Sequence, residues 1–172
     1  TKPIIDNSDP FAAVAFRFFF VAVGFFLFSI YSNYSIIIKR KNLIESVFSG
    51  ILFHGLYLGG VFYSISIGMP TSIAALIVTL QPILTNILSG PILNEKVTLK
   101  QWIGVLLGFL GATLVLGLDL GSKIPLLGLV ATLIALISIT ASTIWQKKLS
   151  NNLPLSVSNF YQAVGGLSLI HI

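Results

Sequence analysis

The chain has 172 residues, of which 55% are hydrophobic and only 9% are charged, and its mean hydropathy is +0.97. Soluble domains carry about a quarter charged residues, so this composition indicates an integral membrane protein. The lipid bilayer is therefore an expected partner. The net charge of +5 lies in short stretches between apolar runs and not on one face, which excludes nucleic acid as a partner. The absence of cysteine excludes a disulfide framework and a thiolate metal site.

Apolar runs of membrane-spanning length follow one another along the chain. Asp9-Pro10 supplies an N-cap and a first-turn proline for the first run, and roughly 21 residues at 1.5 Å each reach about 31 Å, enough to cross the hydrocarbon core. The predicted spans are 11–31, 46–68, 70–93, 101–118 and 125–146, with a partial span from 156. The predicted fold class is an all-α polytopic membrane protein with five full transmembrane helices and part of a sixth.

Two short signals set the boundaries of the middle spans. No Asp, Glu, Lys or Arg occurs from Ser46 to Asn94, a stretch too long for one span, and Gly68-Met69-Pro70 is its strongest turn signal. Thr98 and Gln101 have the spacing of a capping box and predict the start of the next helix.

The loop charges predict the orientation in the membrane. Seven basic residues lie on one side, whereas only Lys2 and Lys123 lie on the other, with Arg17 near that second side. By the positive-inside rule, loops 32–45, 94–100 and 147–155 are cytoplasmic, which predicts a multi-pass protein of the cell (inner or plasma) membrane. The seven are Lys39, Arg40, Lys41, Lys96, Lys100, Lys147 and Lys148.

One face of the predicted span 70–93 is small and polar, while the rest of that helix is mostly Ile, Leu and Val. A membrane helix of this kind turns its polar stripe to protein or to a cavity, so we expect the transport path of a membrane carrier along it. The stripe consists of Ser72, Ala75, Thr79, Pro82, Asn86 and Ser89.

The stretch Ile73–Leu116 resembles the end of the EamA repeat, which characterises the drug/metabolite transporter superfamily. Asp9-Pro10-Phe11 with Arg17 resembles the start of the second helix of that repeat, and Pro125–Lys148 resembles the opening helix of a second repeat. The residues that carry the match, through their order and spacing, are Gln81-Pro82, Asn94-Glu95-Lys96, Gln101-Trp102, Gly104, Gly108 and Gly111.

The resemblance implies ten helices in two inverted five-helix repeats, with a substrate site between the repeats. Residues 1–118 would then be a first repeat without its first helix, and residues 125–166 the start of a second repeat. Residues 167–172 resemble a translated sequencing adapter, so we expect the natural sequence to depart from this one near Gly166 and the chain to be a fragment.

Four residues of the stripe helix are candidates for the substrate path. Pro82 lacks an N–H and crowds the carbonyl of Val78, so it predicts a kink that acts as a hinge or exposes a carbonyl to the ligand. The alternative is a static bend, satisfied by Thr79 or by a neighbouring helix. Gln81, Thr79 and Asn86 can hydrogen-bond a polar substrate or, alternatively, another helix.

Two ionisable residues lie within spans. His54 predicts proton coupling, with a neutral histidine bonded to another helix as the alternative. Arg17 suits the clamping of an anionic group, because the guanidinium geometry matches such groups, and the alternative is snorkelling to the nearby surface.

The remaining candidates are a loop acid and several glycines. Glu95 is either a solvated charge paired with Lys96 or Lys100, or a helix-hairpin clasp or gate, which the family motif alone suggests. The glycines predict close helix packing within the bundle in preference to dimerisation or a ligand site. They are Gly55, Gly59, Gly104, Gly108 and Gly111.

The function predicted from these observations is secondary transport of a small metabolite or drug-like solute, with efflux by alternating access. The alternatives are a structural membrane subunit and, with less support, an intramembrane enzyme, which would need paired aspartates or a Ser/His pair within the membrane. Neither clustered metal ligands nor a Walker loop is present in the sequence, so no metal or other cofactor is expected and the protein is not expected to be an enzyme. No acidic residue lies within a span, which disfavours a cation exporter. Substrate identity, coupling ion and oligomeric state stay open.

Overall fold

The computed structural model describes residues 10–116, 124–150 and 152–170, with side chains described between 16 and 166, and within these ranges the regular structure is helical. Pro10–Tyr31 forms α1, Arg40–Ser66 forms α2 and Thr71–Leu93 forms α3. Leu99–Leu116 forms α4, Leu126–Ser150 forms α5 and Leu155–Ile170 forms α6. Helices α2 to α5 are long and apolar enough to cross a membrane, and α1 contains a shorter apolar stretch, Phe16–Tyr31. The predicted polytopic all-α fold is confirmed.

Two helices extend further than predicted at the ends that carry basic residues. Helix α2 begins at Arg40 instead of residue 46, and Lys41 and Glu45 form an ion pair of 4.0 Å one turn apart in this polar extension. Helix α5 continues to Ser150 instead of 146, with Lys147 and Lys148 in its last turn, where positive charge interacts favourably with the helix dipole. The predicted loops 32–45 and 147–155 are therefore shorter in the structure.

The two predicted boundary signals are confirmed in atomic detail. After α2, the Gly68 N–H donates to Ile65 and the Met69 N–H donates to Ser64, which is the pair of bonds of a Schellman motif. Gly68 has a φ of 93°, a left-handed conformation that glycine adopts without strain. Before α4, the Thr98 N–H donates to Gln101 Oε1 at 2.7 Å, and the Gln101 N–H donates to Thr98 Oγ1 at 3.4 Å.

Helix α2 contains a seven-residue π-helix, Ile51–Tyr57, between two α-helical segments. The sequence gives no sign of this widened stretch, because its residues are apolar helix formers like their neighbours apart from His54 and Gly55. π-Helical turns are rare and occur frequently at functional sites.

The described chain divides into two compact units. Unit 1 contains α1, the part of α2 that ends at His54, and the chain from Trp145 onward, including α6. In it, α1 and α2 pack against α6, and Leu149, Leu153 and Val157 form a small buried apolar cluster. Unit 2 is Gly55–Ile144, which holds the rest of α2, then α3, α4 and most of α5.

Candidate functional site

Helix α3 of unit 2 is interrupted just before Pro82. Its first α-helical segment is Thr71–Val78, and the second begins at Gln81. Between them the Leu80 N–H donates to Ile77, three residues back, which tightens the turn. Since Pro82 has no N–H, the helical bond to the Val78 carbonyl cannot form. The predicted kink at Pro82 is therefore present as a break in the helix.

A groove opens on α3 and α4 at this break, with a volume of about 520 Å³ and a mainly apolar lining. It brings together three residues predicted for the substrate path, Thr79, Gln81 and Pro82, with Gly104 and Gly108 of α4. The complete lining is Val78, Thr79, Gln81, Pro82, Gly104, Val105, Gly108, Phe109 and Ala112.

The groove exists because α4 presents glycines to it. A Cβ added at Gly104 or Gly108 would meet no described atom within 4 Å outside its own helix. The same is true of Gly59 and Gly111, so the close packing predicted for these four glycines has no partner among the described residues. Gly55 and Gly59 line a second, apolar groove of about 400 Å³ against α5.

Close packing occurs instead at glycines that the sequence reasoning did not single out. In unit 2, a Cβ at Gly60 would lie 3.1 Å from the carbonyl oxygen of Ala131 on α5. In unit 1, a Cβ at Gly50 would lie 2.7 Å from the Cα of Gln162, so the backbones of α2 and α6 are in direct contact there. Gly50 follows Ser46 by four positions, and Gly60 precedes Ser64 by four positions. Two small residues four positions apart are the sequence signal for close helix packing, and this signal could have identified both glycines.

The side chains of Thr79 and Gln81 at the break are hydrogen-bonded within unit 2. The Thr79 hydroxyl donates to the Leu76 carbonyl at 2.6 Å, so it does not satisfy the carbonyl of Val78. The Gln81 side-chain amide donates to Thr143 Oγ1 on α5 at 2.9 Å, and that hydroxyl donates to Ile139 at 2.8 Å. Gln81 therefore ties the break to α5, and the groove offers a ligand mostly apolar surface.

Asn86 lies one turn beyond Pro82 and is not among the residues that line the groove. Its Nδ2 is buried and has no hydrogen-bond partner among the described residues, whereas its backbone carbonyl accepts a bond of 3.1 Å from Ser89. Within the part of the stripe that the structure describes, Asn86 thus has an amide group still available to a ligand or to another helix.

His54 lies in unit 1, in the π-helix of α2. Its ring packs against Phe18 of α1 at 4.2 Å and against Phe53 at 4.8 Å, measured between ring centroids. A Cβ at Gly166 of α6 would lie 2.9 Å from the His54 Cβ and Cδ2, so the imidazole is held tightly on that side. The imidazole Nδ1 is buried and has no partner among the described side chains and backbone groups.

Arg17 precedes Phe18 on α1, and its side chain is exposed. The structure therefore brings Arg17 and His54 into one unit and places Thr79, Gln81 and Pro82 in the other. Glu95 is exposed in the connection between α3 and α4, which starts with Asn94 in a left-handed conformation at a φ of 55°.

A buried polar cluster on α6 was missed by the sequence reasoning. The Ser46 and Ser158 hydroxyls lie 3.5 Å apart, and the Gln162 amide donates to Ser158 at 3.2 Å. Gln146 donates to Asn159. The signal that could have revealed the cluster is the spacing of four between Ser158 and Gln162, which puts both on one face of α6.

Comparisons with known proteins agree with the helical architecture. A family model described as "EamA-like transporter family" matches residues 1–117. The uncharacterized transporter YyaM of Bacillus subtilis (strain 168) is 29% identical over 142 residues, which cover 76% of this chain and 44% of that protein. The uncharacterized transporter YvbV of the same organism is 28% identical over 106 residues, covering 62% of this chain and 33% of that protein. The chain thus spans less than half the length of these relatives, and no solved structure matches it.

Proposed function

We propose, since this chain belongs to the EamA-like transporter family, that it forms part of a secondary transporter that exports a small metabolite or drug-like solute by alternating access. It is a multi-pass membrane protein of a transporter family, and its family and relatives point away from an enzyme. Efflux, the cell membrane as its location, and a cytoplasmic position for loops 32–45, 94–100 and 147–155 belong to the proposal and rest on the positive-inside rule.

The groove at the break of α3 is the observation that supports this function most directly. Irregular backbone at membrane depth is tolerated only where it is buried in protein or lines a cavity. Here the break before Pro82 adjoins a cavity of about 520 Å³, which is large enough for a small metabolite. The kink at Pro82 leaves the Val78 carbonyl without its helical bond at a residue that lines this groove, as a hinge or a ligand-facing carbonyl requires.

The groove also suggests the character of the solute. Its lining is mainly apolar, and the polar groups of Thr79 and Gln81 already donate to protein acceptors. A ligand there gains chiefly from burial of apolar surface, about 25 cal/mol for each Å² removed from water. We therefore propose a solute with a substantial apolar body that passes between α3 and α4.

The two prolines of α3 provide a matched test in the complete natural protein. Pro82 lines the groove, whereas Pro91 lies in the same helix, is also exposed and does not line the groove. With equal amounts in the membrane, Pro82→Ala should lower export by about tenfold or more, because a continuous helix would displace the groove-lining side chains by an ångström or so. Pro91→Ala should leave export near the wild-type rate.

The readout is metabolite profiling of the medium after overexpression. Solutes that accumulate outside wild-type cells, but not outside cells with Pro82→Ala, are the transported ones. Equal export by both proline variants would refute the groove as the substrate path, and a medium unchanged by overexpression would favour the structural-subunit alternative.

Proton coupling enters the proposal through His54, which is the one imidazole in the described part of the chain. His54→Gln should abolish uptake driven by a pH gradient in vesicles while leaving downhill exchange of the same solute intact. Uptake by His54→Gln with the wild-type pH dependence would remove His54 as the proton carrier.

A further inference from the structure

The groove at the break of α3 differs from the second groove of unit 2 in the polar atoms that it exposes. The groove beside Gly55 and Gly59 has an almost wholly apolar surface, whereas the groove at the break exposes polar surface as well. Two of its lining residues, Thr79 and Gln81, have polar side chains, and none of the described residues that line it is ionisable. The polar atoms that remain available at the break therefore decide which solute it can hold.

The two polar side chains offer a ligand mainly acceptor oxygens. The Thr79 hydroxyl donates its one hydrogen to the Leu76 carbonyl, so its oxygen can only accept from a ligand. The Thr143 hydroxyl likewise donates its one hydrogen to Ile139, so it can only accept from Gln81. This bond directs Nε2 of the Gln81 amide to Thr143. It leaves Oε1 as an acceptor and one N–H to spare.

The break adds a backbone acceptor to these side chains. Pro82 has no N–H to donate to the Val78 carbonyl, and the Thr79 and Gln81 side chains donate elsewhere. Val78 is the last residue of the α-helical segment Thr71–Val78, where the helix dipole has its negative end. Val78 itself lines the groove. Acceptor oxygens thus outnumber the spare side-chain N–H at the break.

We infer that the groove binds an uncharged solute with an apolar body and at least one N–H or O–H donor, held by the oxygens of Val78, Thr79 and Gln81. This inference rests on the proposed transport function and extends it to a substrate class. A donor on the solute satisfies acceptors that the bound solute would otherwise leave without water or a partner. A charged solute would enter a described lining that holds no counter-charge, which is costly at membrane depth.

The test uses the complete natural protein, purified in detergent, and follows two uncharged probes by ligand-observed fluorine NMR, corrected for binding to empty micelles. The probes are 4-fluorobenzamide, which carries N–H donors, and methyl 4-fluorobenzoate, an ester of similar shape that carries none. The ester is the more apolar probe, so burial of apolar surface alone would favour it. We expect the wild type to bind the amide about tenfold more tightly, because only the amide can donate to the oxygens at the break.

The two prolines of α3 again provide matched variants. Pro82→Ala supplies an N–H that can close the bond to the Val78 carbonyl, so the preference for the amide should fall by about threefold or more. Pro91→Ala, in the same helix but away from the groove, should keep the wild-type preference.

A third variant locates the site if Pro82→Ala does not fold. Gly108→Leu fills the groove at a position where an added Cβ meets no described atom within 4 Å outside its own helix. We therefore expect it to abolish binding of the amide.

Four results would overturn the inference. Equal binding of the two probes by the wild type, or tighter binding of the ester, would remove the donor requirement. An unchanged preference in Pro82→Ala would remove the Val78 carbonyl from the site. Amide binding that survives Gly108→Leu would place the site outside the groove. Tighter binding of 4-fluorobenzoate or of 4-fluorobenzylammonium than of the amide would contradict the uncharged class.

This test is separable from the test of transport. Export that depends on Pro82, combined with equal binding of the amide and the ester, contradicts the donor requirement and leaves the transport function standing. A preference for the amide that Gly108→Leu abolishes, in a protein whose overexpression leaves the medium unchanged, supports the inference and contradicts transport.

Discussion

The two units use glycine in opposite ways. In unit 1, Gly50 and Gly166 let helices touch so closely that an added Cβ would lie 2.7 Å from the Cα of Gln162 or 2.9 Å from His54. In unit 2, Gly104 and Gly108 face a groove of about 520 Å³, and an added Cβ would meet nothing within 4 Å outside its own helix. The spacing of four between Gly104 and Gly108 thus does not by itself produce close packing, because the facing element decides whether a glycine packs closely or borders a groove.

Among the glycine substitutions that compare the two units, Gly50→Ala should lower the stability of the protein most. Gly50→Ala would push a methyl group into the backbone of Gln162, which cannot rotate away, so α2 and α6 must separate. Overpacking of this kind costs about 1–3 kcal/mol, occasionally more. We expect a clearly lower thermal unfolding midpoint in detergent, and an unchanged midpoint for Gly50→Ala would contradict the close crossing. Gly24→Ala is the neutral control, because a Cβ at Gly24 meets no described atom within 4 Å outside its own helix.

A smaller effect is expected at the hydrogen bond that fixes the break of α3. Thr143→Val removes the acceptor of the Gln81 amide, a bond of 2.9 Å between α3 and α5. Interhelical hydrogen bonds in membrane proteins contribute about 0.6 kcal/mol on average and up to about 1.7.

A double-mutant cycle of Gln81→Ala and Thr143→Val, measured by unfolding in detergent, isolates this bond. We expect a coupling free energy of about 0.5–1.5 kcal/mol. Strictly additive effects of the two substitutions would show that the bond does not hold the break in place.

The smallest effect on stability should come from the glycines that line the groove. Gly108→Ala fills open space and should change stability by less than about 1 kcal/mol, with a gain expected from the higher helix propensity of alanine. The methyl group nevertheless occupies part of the groove, so export should fall while the unfolding midpoint does not. A marked loss of stability would show that Gly108 packs against another helix.

Much of the helical framework could be predicted from the sequence, because its signals are local. The turn at Gly68 and the capping box at Thr98 depend on residues within five positions of each other, and both are present in the structure. Helices α2 and α5 extend beyond the predicted spans 46–68 and 125–146, because hydropathy marks the membrane-spanning part of a helix and ignores polar turns that continue it, such as the one with Lys41 and Glu45.

The candidate site was less predictable, because it depends on which elements meet. Pro82 predicted the break in α3 by its chemistry alone, but the groove also needs Gly104 and Gly108 on the facing helix. The residues of the π-helix around His54 have no local preference for that conformation. Its position beside the crossing of α2 and α6 at Gly50 suggests that tertiary packing sets the backbone there.

The central claim, that the groove at the break of α3 is the substrate path, can be tested by cysteine labelling, since the described chain has no cysteine of its own. Val105→Cys places a thiol in the groove, and Leu110→Cys places one on an exposed position of α4 that does not line it. In a cysteine-free background of the complete protein in sealed vesicles, a charged, membrane-impermeant methanethiosulfonate should modify Val105→Cys and leave Leu110→Cys unmodified. Modification of Leu110→Cys alone, or of neither thiol from either side of the membrane, would contradict the account.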